Sequence, residues 1–233
     1  MIQVNPEDLY VHHHLGLGDH LICNGMVRLF LQDIPMNKMY MVVKNGNYET
    51  VRRMYSDEPR IEFIKVGGDS EFYSTPYDFE KMRLSRIGFE KSTNFEFDVS
   101  FYNQFNIPFS CRWDYFKVNR DLDKEKELES RLGLSDEPFI LIHNRCSMKE
   151  YDLVLPNIKR VYVQPLTDCL LDWCRIAEKA EEVHCIDSSF VHLAQCLNVK
   201  KGIFHNPRGM NCPFRLREGW DTVDYSNKEK VNT

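Results

Sequence analysis

Short apolar runs alternate with helix-like segments along most of the chain, and this alternation constrains the fold more than any other feature of the sequence. In the first half, the runs DLYVHHH, MYMVVK and RIEFIKV are separated by segments with helical periodicity. In the second half the pattern resumes with FILIHN, RVYVQPL, EVHCI and KKGIFH. Strands that alternate with helices are typical of βαβ units on a parallel sheet. The sequence therefore predicts an α/β fold built from two halves.

A strongly charged segment, NRDLDKEKELESRLGLSDEP, lies between the two halves and has the features of a surface helix that ends at a glycine. We therefore predict an N-terminal α/β domain over 1–115, a charged helical linker over 116–137 and a C-terminal α/β domain over 138–233. The region 67–113 contains many aromatic residues and helix breakers. It predicts mostly loops, with one helix around 98–105.

Composition limits the classes of function. The formal net charge is −5, and the lysines and arginines are scattered rather than clustered, which argues against a nucleic-acid partner. The sequence begins without the pattern of a signal peptide and has no apolar run long enough to span a bilayer. The eight cysteines form no C-x-x-C pair, which favours buried, reduced thiols. We predict a soluble cytoplasmic protein, and leave peripheral contact with a membrane and the oligomeric state open.

The stretch VHHHLGLGDHLICNGMVRLF places two glycines between a predicted strand and a helix that begins near Asp19 or His20. Gly16 and Gly18 allow a sharp turn, and they let a ligand approach the helix N-terminus, which favours negative charge. Asp19 is interpreted either as an active-site base or as the cap of the helix. His14 and His20 flank the glycines and are candidates for substrate contacts.

The histidine triplet raises the question of a metal site. Successive residues of a strand point to opposite faces, so His12 and His14 share one face and His13 takes the other. At most two of these rings can bind one ion, and no third ligand stands at a suitable spacing, so we predict no metal site. The glycine pattern also lacks the third glycine of a dinucleotide-binding fingerprint, and no cofactor is predicted.

A second constellation lies in EEVHCIDSSFVHLAQCLNVKKGIF, where a predicted strand ends in Asp187, Ser188 and Ser189 and a helix follows. Two hydroxyls with their backbone N–H groups at a helix N-terminus can bind a phosphate. His192, one turn into the helix, is predicted to face the same opening. The alternative is an Asp or Ser cap on an ordinary amphipathic helix.

Taken together, the two patterns resemble the motifs of GT-B glycosyltransferases, most closely the ADP-heptose:lipopolysaccharide heptosyltransferase family. In that family the motifs read G-x-G-D-x-L and D-[ST]-[GS]-x-x-H-L-A-x-A-L-x-[VK]. The matching positions are Gly16, Gly18, Asp19, Leu21, Asp187, Ser188, Ser189, His192, Leu193, Ala194, Leu197 and Val199. The segment FILIHNRCSMKEYDLVLP also resembles the strand and loop that open the family's donor domain. Arg145, Ser147 and Lys149 would there approach the phosphates of the nucleotide-sugar.

The resemblance implies a fold and a reaction. The fold is GT-B-like, with two Rossmann-like lobes whose parallel sheets face a central cleft. The implied donor is a nucleotide-diphosphate-sugar, bound by Asp187, Ser188, Ser189, His192 and the loop from Arg145 to Lys149. Asp19 would act as general base in a metal-independent, inverting transfer to a hydroxyl of a glycan or lipid-linked saccharide, with His20 orienting the acceptor. His14, Gly16 and Gly18 would form the acceptor side.

Two other functions fit the same motifs. One is a nucleotide- or sugar-binding module, or a regulatory subunit, that binds without turnover and has no need of Asp19. The other is a different sugar-nucleotide enzyme on the same scaffold, such as an epimerase or a hydrolase.

Overall fold

The chain divides into two compact units, Met1–Arg120 and Asp121–Thr233. A computed structural model describes residues 4–88, 96–134, 137–146, 149–207 and 213–225. Each unit contains one parallel sheet with helices between its strands, which confirms the predicted α/β class.

The first unit has a four-stranded sheet in the order β3-β2-β1-β4, in which all paired strands are parallel. Its elements are β1 (Leu9–His13), α1 (Leu17–Ile22), α2 (Asn24–Asp33), β2 (Met39–Lys44), α3 (Tyr48–Met54), β3 (Ile61–Val66), α4 (Glu71–Ser74), β4 (Leu84–Ile87), α5 (Phe97–Asn103) and α6 (Cys111–Asp114). All five residues of β1 are buried, because this strand lies between two neighbours in the sheet and is covered by side chains from the helices. The loop after β1 is therefore anchored at the middle of the sheet.

The helix after β1 differs from the prediction in its start and its continuity. It begins at Leu17, with Gly16 as its N-cap, so that Asp19 lies in its first turn. The segment that follows Gly16 forms two helices rather than one continuous helix, since Cys23 closes α1 and also precedes α2. This early start turns the Asp19 side chain back towards the loop.

The region predicted to be mostly loops is more regular than expected. The predicted helix near 98–105 is present as α5, and β4 adds a strand next to β1 that the sequence did not reveal. Around this strand a hydrophobic cluster rich in aromatic residues extends the core; its buried and partly buried members include Tyr10, Phe72, Tyr77, Phe79 and Leu84. Asp98 of α5 and Arg112 of α6 form an ion pair with both side chains 0% exposed.

The second unit has a five-stranded parallel sheet in the order β6-β5-β7-β8-β9. Its elements are α7 (Leu122–Arg131), β5 (Phe139–His143), β6 (Lys159–Tyr162), α8 (Cys174–Lys179), β7 (Glu182–Cys185), α9 (Ser189–Ala194), β8 (Gly202–Asn206) and β9 (Asp221–Asp224). Strand β9 was not predicted. Helix α7, which falls in the predicted linker, packs in this unit, where Glu129 accepts hydrogen bonds from Arg175 and Lys179.

None of the seven cysteines in the described part of the chain forms a disulfide, and Cys23, Cys169, Cys174 and Cys185 are buried. Within the same residues, the helices are all too short or too polar to cross a membrane.

Candidate functional site

A pocket of about 320 Å³ lies at the carboxyl ends of three neighbouring strands of the first unit. It is lined by His14, Leu15, Gly16, Asp19, Lys44 and Asp69. The first four follow β1, Lys44 is the last residue of β2, and Asp69 follows β3. In open parallel sheets, ligands bind at this edge, where the loops after the strands meet. The sequence pointed to His14, Gly16 and Asp19, and it missed Lys44 and Asp69.

Asp19 is the carboxylate that gives this pocket a candidate chemistry. Its side chain is partly buried, and removal from water raises its pKa to about 7. A hydrogen bond with the Gly16 backbone and the charge of Lys44 act in the opposite direction, while Asp69 raises the pKa further. An acid that titrates near neutral pH can accept and release a proton under physiological conditions.

The contact between Asp19 and Gly16 settles how the helix N-terminus is used. Gly16 is the N-cap, and the Asp19 carboxylate reaches back to its backbone. A Cβ atom on Gly16 would lie 2.6 Å from Asp19 Oδ2, so this approach requires glycine. The Asp19 carboxylate therefore lies at the N-terminus of α1, where the sequence predicted that a bound anion could lie. Asp19 is not the cap itself, although it interacts with the capping residue.

An ion pair and an amide hold the loop beneath Asp19. Lys44 Nζ donates to Asp69 Oδ2 at 2.8 Å. Asp69 Oδ1 accepts from the backbone N–H of Leu15 at 3.3 Å, and Asn47 Nδ2 donates to the Leu15 carbonyl at 2.8 Å. Both backbone groups of Leu15, the residue before the N-cap, are thus held by side chains from other elements.

The remaining residues of the opening motif lie in different environments. His14 lines the pocket and contacts the edge of Phe101, with ring centroids 5.7 Å apart. His20, expected to contact the acceptor, is 0% exposed and packs against His13 at 4.2 Å, so the structure does not bring it to the pocket. Burial lowers the pKa of His20 well below its usual value. Gly18 lies in the first turn of α1.

The possible metal ligands do not converge within the described residues, where no group of three or more His, Cys, Asp or Glu side chains could hold an ion. Two carboxylates in a D-x-D triplet can hold a divalent ion, and the sequence contains one such triplet, Asp121-Leu122-Asp123. The structure places it at the start of α7, where Asp121 caps the helix by accepting from the Lys124 N–H at 3.1 Å. As the N-cap, the Asp121 carboxylate stabilises helix α7.

A second polar cluster lies at the carboxyl ends of β5 and β7. His143 and Cys185, the last residues of these strands, are partners in the sheet. Ser188 follows β7, and its Oγ lies 2.9 Å from His143 Nδ1 and 3.2 Å from the Ile186 carbonyl. Ser188 is the N-cap of α9 but makes no side-chain capping bond, in contrast to the ordinary cap considered from the sequence. Asp187, Ser188 and Ser189 are all partly exposed.

The loop after β5 brings two predicted cations to the same strand end. Arg145 and Glu150 form an antiparallel bridge, and the Cys146 N–H donates to the Lys149 carbonyl at 3.0 Å. Arg145 and Lys149 are exposed, and Lys149 Nζ lies 4.5 Å from the centre of the Tyr151 ring. Ser147 lies outside the described residues.

Two histidines of the second unit differ from what the sequence indicated. His192 is 3% exposed and packs edge-on against Phe214 at 4.7 Å, so its ring lies in the core rather than at the opening beside the serines. His143 is the residue that contacts Ser188, and no role was predicted for it from the sequence. Its only signal was its position at the end of an apolar strand, and burial lowers its pKa to about 4.

The buried histidines predict acid sensitivity of the fold. Burial lowers the pKa to about 4 for His12, His13, His143 and His205. A histidine in the unfolded chain has a pKa near 6.5. Between pH 6.5 and 4 these histidines therefore bind protons in the unfolded chain but not in the folded one. The free energy of unfolding is therefore expected to fall over this range, by roughly 3 kcal/mol for a fully buried ring such as His13.

Urea unfolding at steps from pH 7.5 to 4.5 measures this loss. Asp19 acts in the opposite direction, because its raised pKa lets the folded state hold a proton more tightly as the pH falls. One carboxyl opposes these four rings and also His20 and His184, whose pKa values burial lowers as well, so the net change remains a loss. A free energy that is constant or increases as the pH falls from 6.5 to 4.5 would show that these rings accept protons without unfolding.

Comparisons with solved structures identify the fold. The chain superposes on the glycosyl transferase family 9 protein of Veillonella parvula with a TM-score of 0.60 and 10% identity, covering 99% of this chain and 91% of that one. It superposes on the E. coli heptosyltransferase WaaC, solved with ADP-2-deoxy-2-fluoro heptose, with a TM-score of 0.51 and 12% identity, covering 93% and 92%. For the dodecameric, iron-containing heptosyltransferase TibC in complex with ADP-D-β-D-heptose, the TM-score is 0.59 and the identity 12%, over 97% of this chain and 64% of that one.

No protein-family model matches the sequence, and no curated protein matches it either. At these identities the structural similarity establishes the fold: the chain has the GT-B-like α/β fold found in these glycosyltransferases.

Proposed function

We propose that the protein is a glycosyltransferase that moves a sugar from a nucleotide-diphosphate-sugar to a hydroxyl group of a saccharide acceptor. The observation that carries the proposal is Asp19, a carboxylate with a pKa of about 7 in a pocket at the carboxyl edge of a parallel sheet. Its place in the GLGD motif and the similarity of fold to glycosyltransferases support the same reaction. Two of those neighbours were solved with ADP-heptose or its fluoro analogue.

On the acceptor side, Asp19 acts as the general base. Its ionised carboxylate accepts the proton of the acceptor hydroxyl as the hydroxyl oxygen attacks the anomeric carbon of the donor. The new C–O bond forms while the bond to the nucleotide diphosphate breaks, and the diphosphate leaves with the electron pair. One displacement inverts the anomeric configuration. A pKa of about 7 suits this role, because the group is both substantially ionised and basic at neutral pH.

On the donor side, we propose that the diphosphate binds at the carboxyl ends of β5 and β7. Arg145 and Lys149 follow β5, and Ser188 and Ser189 follow β7. Fixed cations and hydroxyl donors can neutralise the charge that develops on a leaving diphosphate without a metal ion. Asp187 would hold the sugar or the ribose; Ser147, which the sequence also pointed to, lies outside the described residues.

Donor binding is tested by isothermal calorimetry with ADP-, UDP-, GDP- and CMP-sugars, starting with ADP-heptose, in magnesium and in EDTA. We expect one nucleotide-sugar to bind equally in both buffers. The S188A/S189A double variant is expected to bind it at least tenfold more weakly, because each hydrogen bond to a charged phosphate contributes about 1.5–3 kcal/mol.

The matched control is Ser130→Ala, a change of the same kind at an exposed position of α7. It is expected to leave the dissociation constant unchanged. Equal affinity in the double variant and the wild type would contradict the proposed donor site. Binding that requires magnesium would contradict a metal-independent reaction.

A further inference from the structure

We propose that Lys44 and Asp69 are the positioning pair of the pocket: they hold the loop that carries Asp19 and place two opposite charges in the pocket that its carboxylate lines. This inference rests on the proposed role of Asp19 as a base. Neither residue belongs to the GLGD motif, and each comes from the end of a different strand.

The pair is part of the pocket surface rather than of the core. Lys44 Nζ and Asp69 Oδ2 are 2.8 Å apart, and their side chains are 33% and 52% exposed. An ion pair at such exposure contributes little to the stability of the fold. Its effect is therefore expected mainly on the groups that share the pocket.

A continuous set of contacts joins the pair to Asp19. Asp69 binds Lys44 through one carboxylate oxygen and the Leu15 N–H through the other. Leu15 precedes Gly16, whose backbone adjoins the Asp19 carboxylate. The ion pair, together with Asn47, thus helps to hold the backbone that lies next to Asp19.

The charges of the pair act on Asp19 with opposite signs. Lys44 favours the ionised carboxylate and Asp69 disfavours it. The other titratable groups that face Asp19 are His14 in the pocket and Cys23 at the end of α1. Burial raises the pKa of the Cys23 thiol, so this group is neutral at neutral pH. His14 is the same in every variant, so a difference in midpoint between variants reports the change made at Lys44 or Asp69.

Two nearly isosteric variants distinguish the effect of the charges of Lys44 and Asp69 on Asp19 from their role in holding the loop. Lys44→Met removes the cation, and the midpoint of the Asp19 titration is expected to rise by about 0.5 pH unit. Asp69→Asn removes the anion but retains an oxygen for the Leu15 N–H, and the midpoint is expected to fall by a similar amount. A purely structural role would loosen the loop in both variants and shift both midpoints in the same direction.

The measurement is a carboxyl-carbon NMR titration of protein labelled with ¹³C at the aspartate side chains, from pH 5 to 9. The Asp19 signal is assigned by its loss in Asp19→Asn. Lys38→Met is the matched control, because it removes an exposed lysine whose ion pair with Glu62 lies outside the pocket, and no shift is expected. Midpoints that stay fixed, or that move together, would overturn the inference.

The titration needs no substrate, so it distinguishes this inference from the proposed function. If the Asp19 midpoints shift in opposite directions but the protein transfers no sugar, the role of the ion pair stands and the proposed glycosyltransferase activity is rejected. In a protein that does transfer sugar, the acid limb of the kcat/KM profile is expected to move with the same signs as the two midpoints. A limb that does not move would separate the pair from catalysis.

Discussion

Replacing Asp19 by asparagine is expected to reduce sugar transfer by a factor of about 10² to 10⁴ while the donor still binds. Asparagine has nearly the same size and cannot accept the proton of the acceptor hydroxyl. Since Asp19 lies in the pocket of the first unit and the proposed donor contacts lie in the second, the dissociation constant of the nucleotide-sugar should change less than twofold. Steady-state transfer rates and calorimetry on the same preparation give both quantities.

The matched control for this variant is Asp33→Asn, which makes the same change at the exposed end of α2. Its transfer rate is expected to equal that of the wild type. Full activity in Asp19→Asn would assign the proton transfer to another group. Loss of donor binding in Asp19→Asn would instead place this carboxylate in the donor site.

Replacing Asp98 by alanine is expected to lower the free energy of unfolding by about 3–5 kcal/mol. Asp98 and Arg112 form an ion pair with both side chains 0% exposed, and the guanidinium also lies 4.3 Å from the centre of the Trp113 ring. Removal of the carboxylate leaves a buried cation that water cannot reach. Urea unfolding at pH 7.5 measures the loss.

A double variant tests the origin of that loss. In D98L/R112M both charges are replaced by apolar side chains of similar size, so no uncompensated charge remains. It is expected to be more stable than Asp98→Ala, although it retains fewer polar contacts. A single variant that loses less than about 1 kcal/mol, or a double variant that is less stable than the single one, would contradict an unpaired buried charge as the cause.

The sequence predicted the architecture because strand and helix periodicities are local properties. The apolar runs that lead into Asp19 and Ser188 are strands of parallel sheets, as expected, and glycine stands at the turn after β1. Strands β4 and β9 were missed because their residues are mostly exposed or partly exposed and lack a clear apolar alternation. Each lies at an edge of its sheet and is held by one neighbouring strand. Such strands form because they pair with that neighbour, and their own sequence shows no strand pattern.

The candidate site was predicted only where its residues are adjacent in sequence. His14, Gly16 and Asp19 lie within one turn-forming stretch, whereas Lys44 and Asp69 reach the pocket from other strand ends. No short motif connects them. His143 was missed for the same reason, since only the pairing of β5 with β7 brings it to Ser188.

The two misplaced histidines show a different limit. His20 and His192 stand at positions next to functional motifs, and proximity in sequence indicated roles in binding. On a helix, however, a step of one or three residues decides which face a side chain occupies. Both rings lie on the buried face, His20 against His13 and His192 against Phe214. The start of each helix had to be known before these faces could be assigned.

The proposal that this protein transfers sugar is tested most directly by product analysis of the wild-type protein. The nucleotide-sugar that binds in calorimetry is incubated with saccharide acceptors, and the anomeric proton of each product is followed by NMR. We predict release of the nucleotide diphosphate only when an acceptor is present, with a new glycosidic bond of inverted configuration. Equal cleavage of the donor without acceptor would identify a hydrolase, and a donor that binds but stays intact with every acceptor would contradict catalysis.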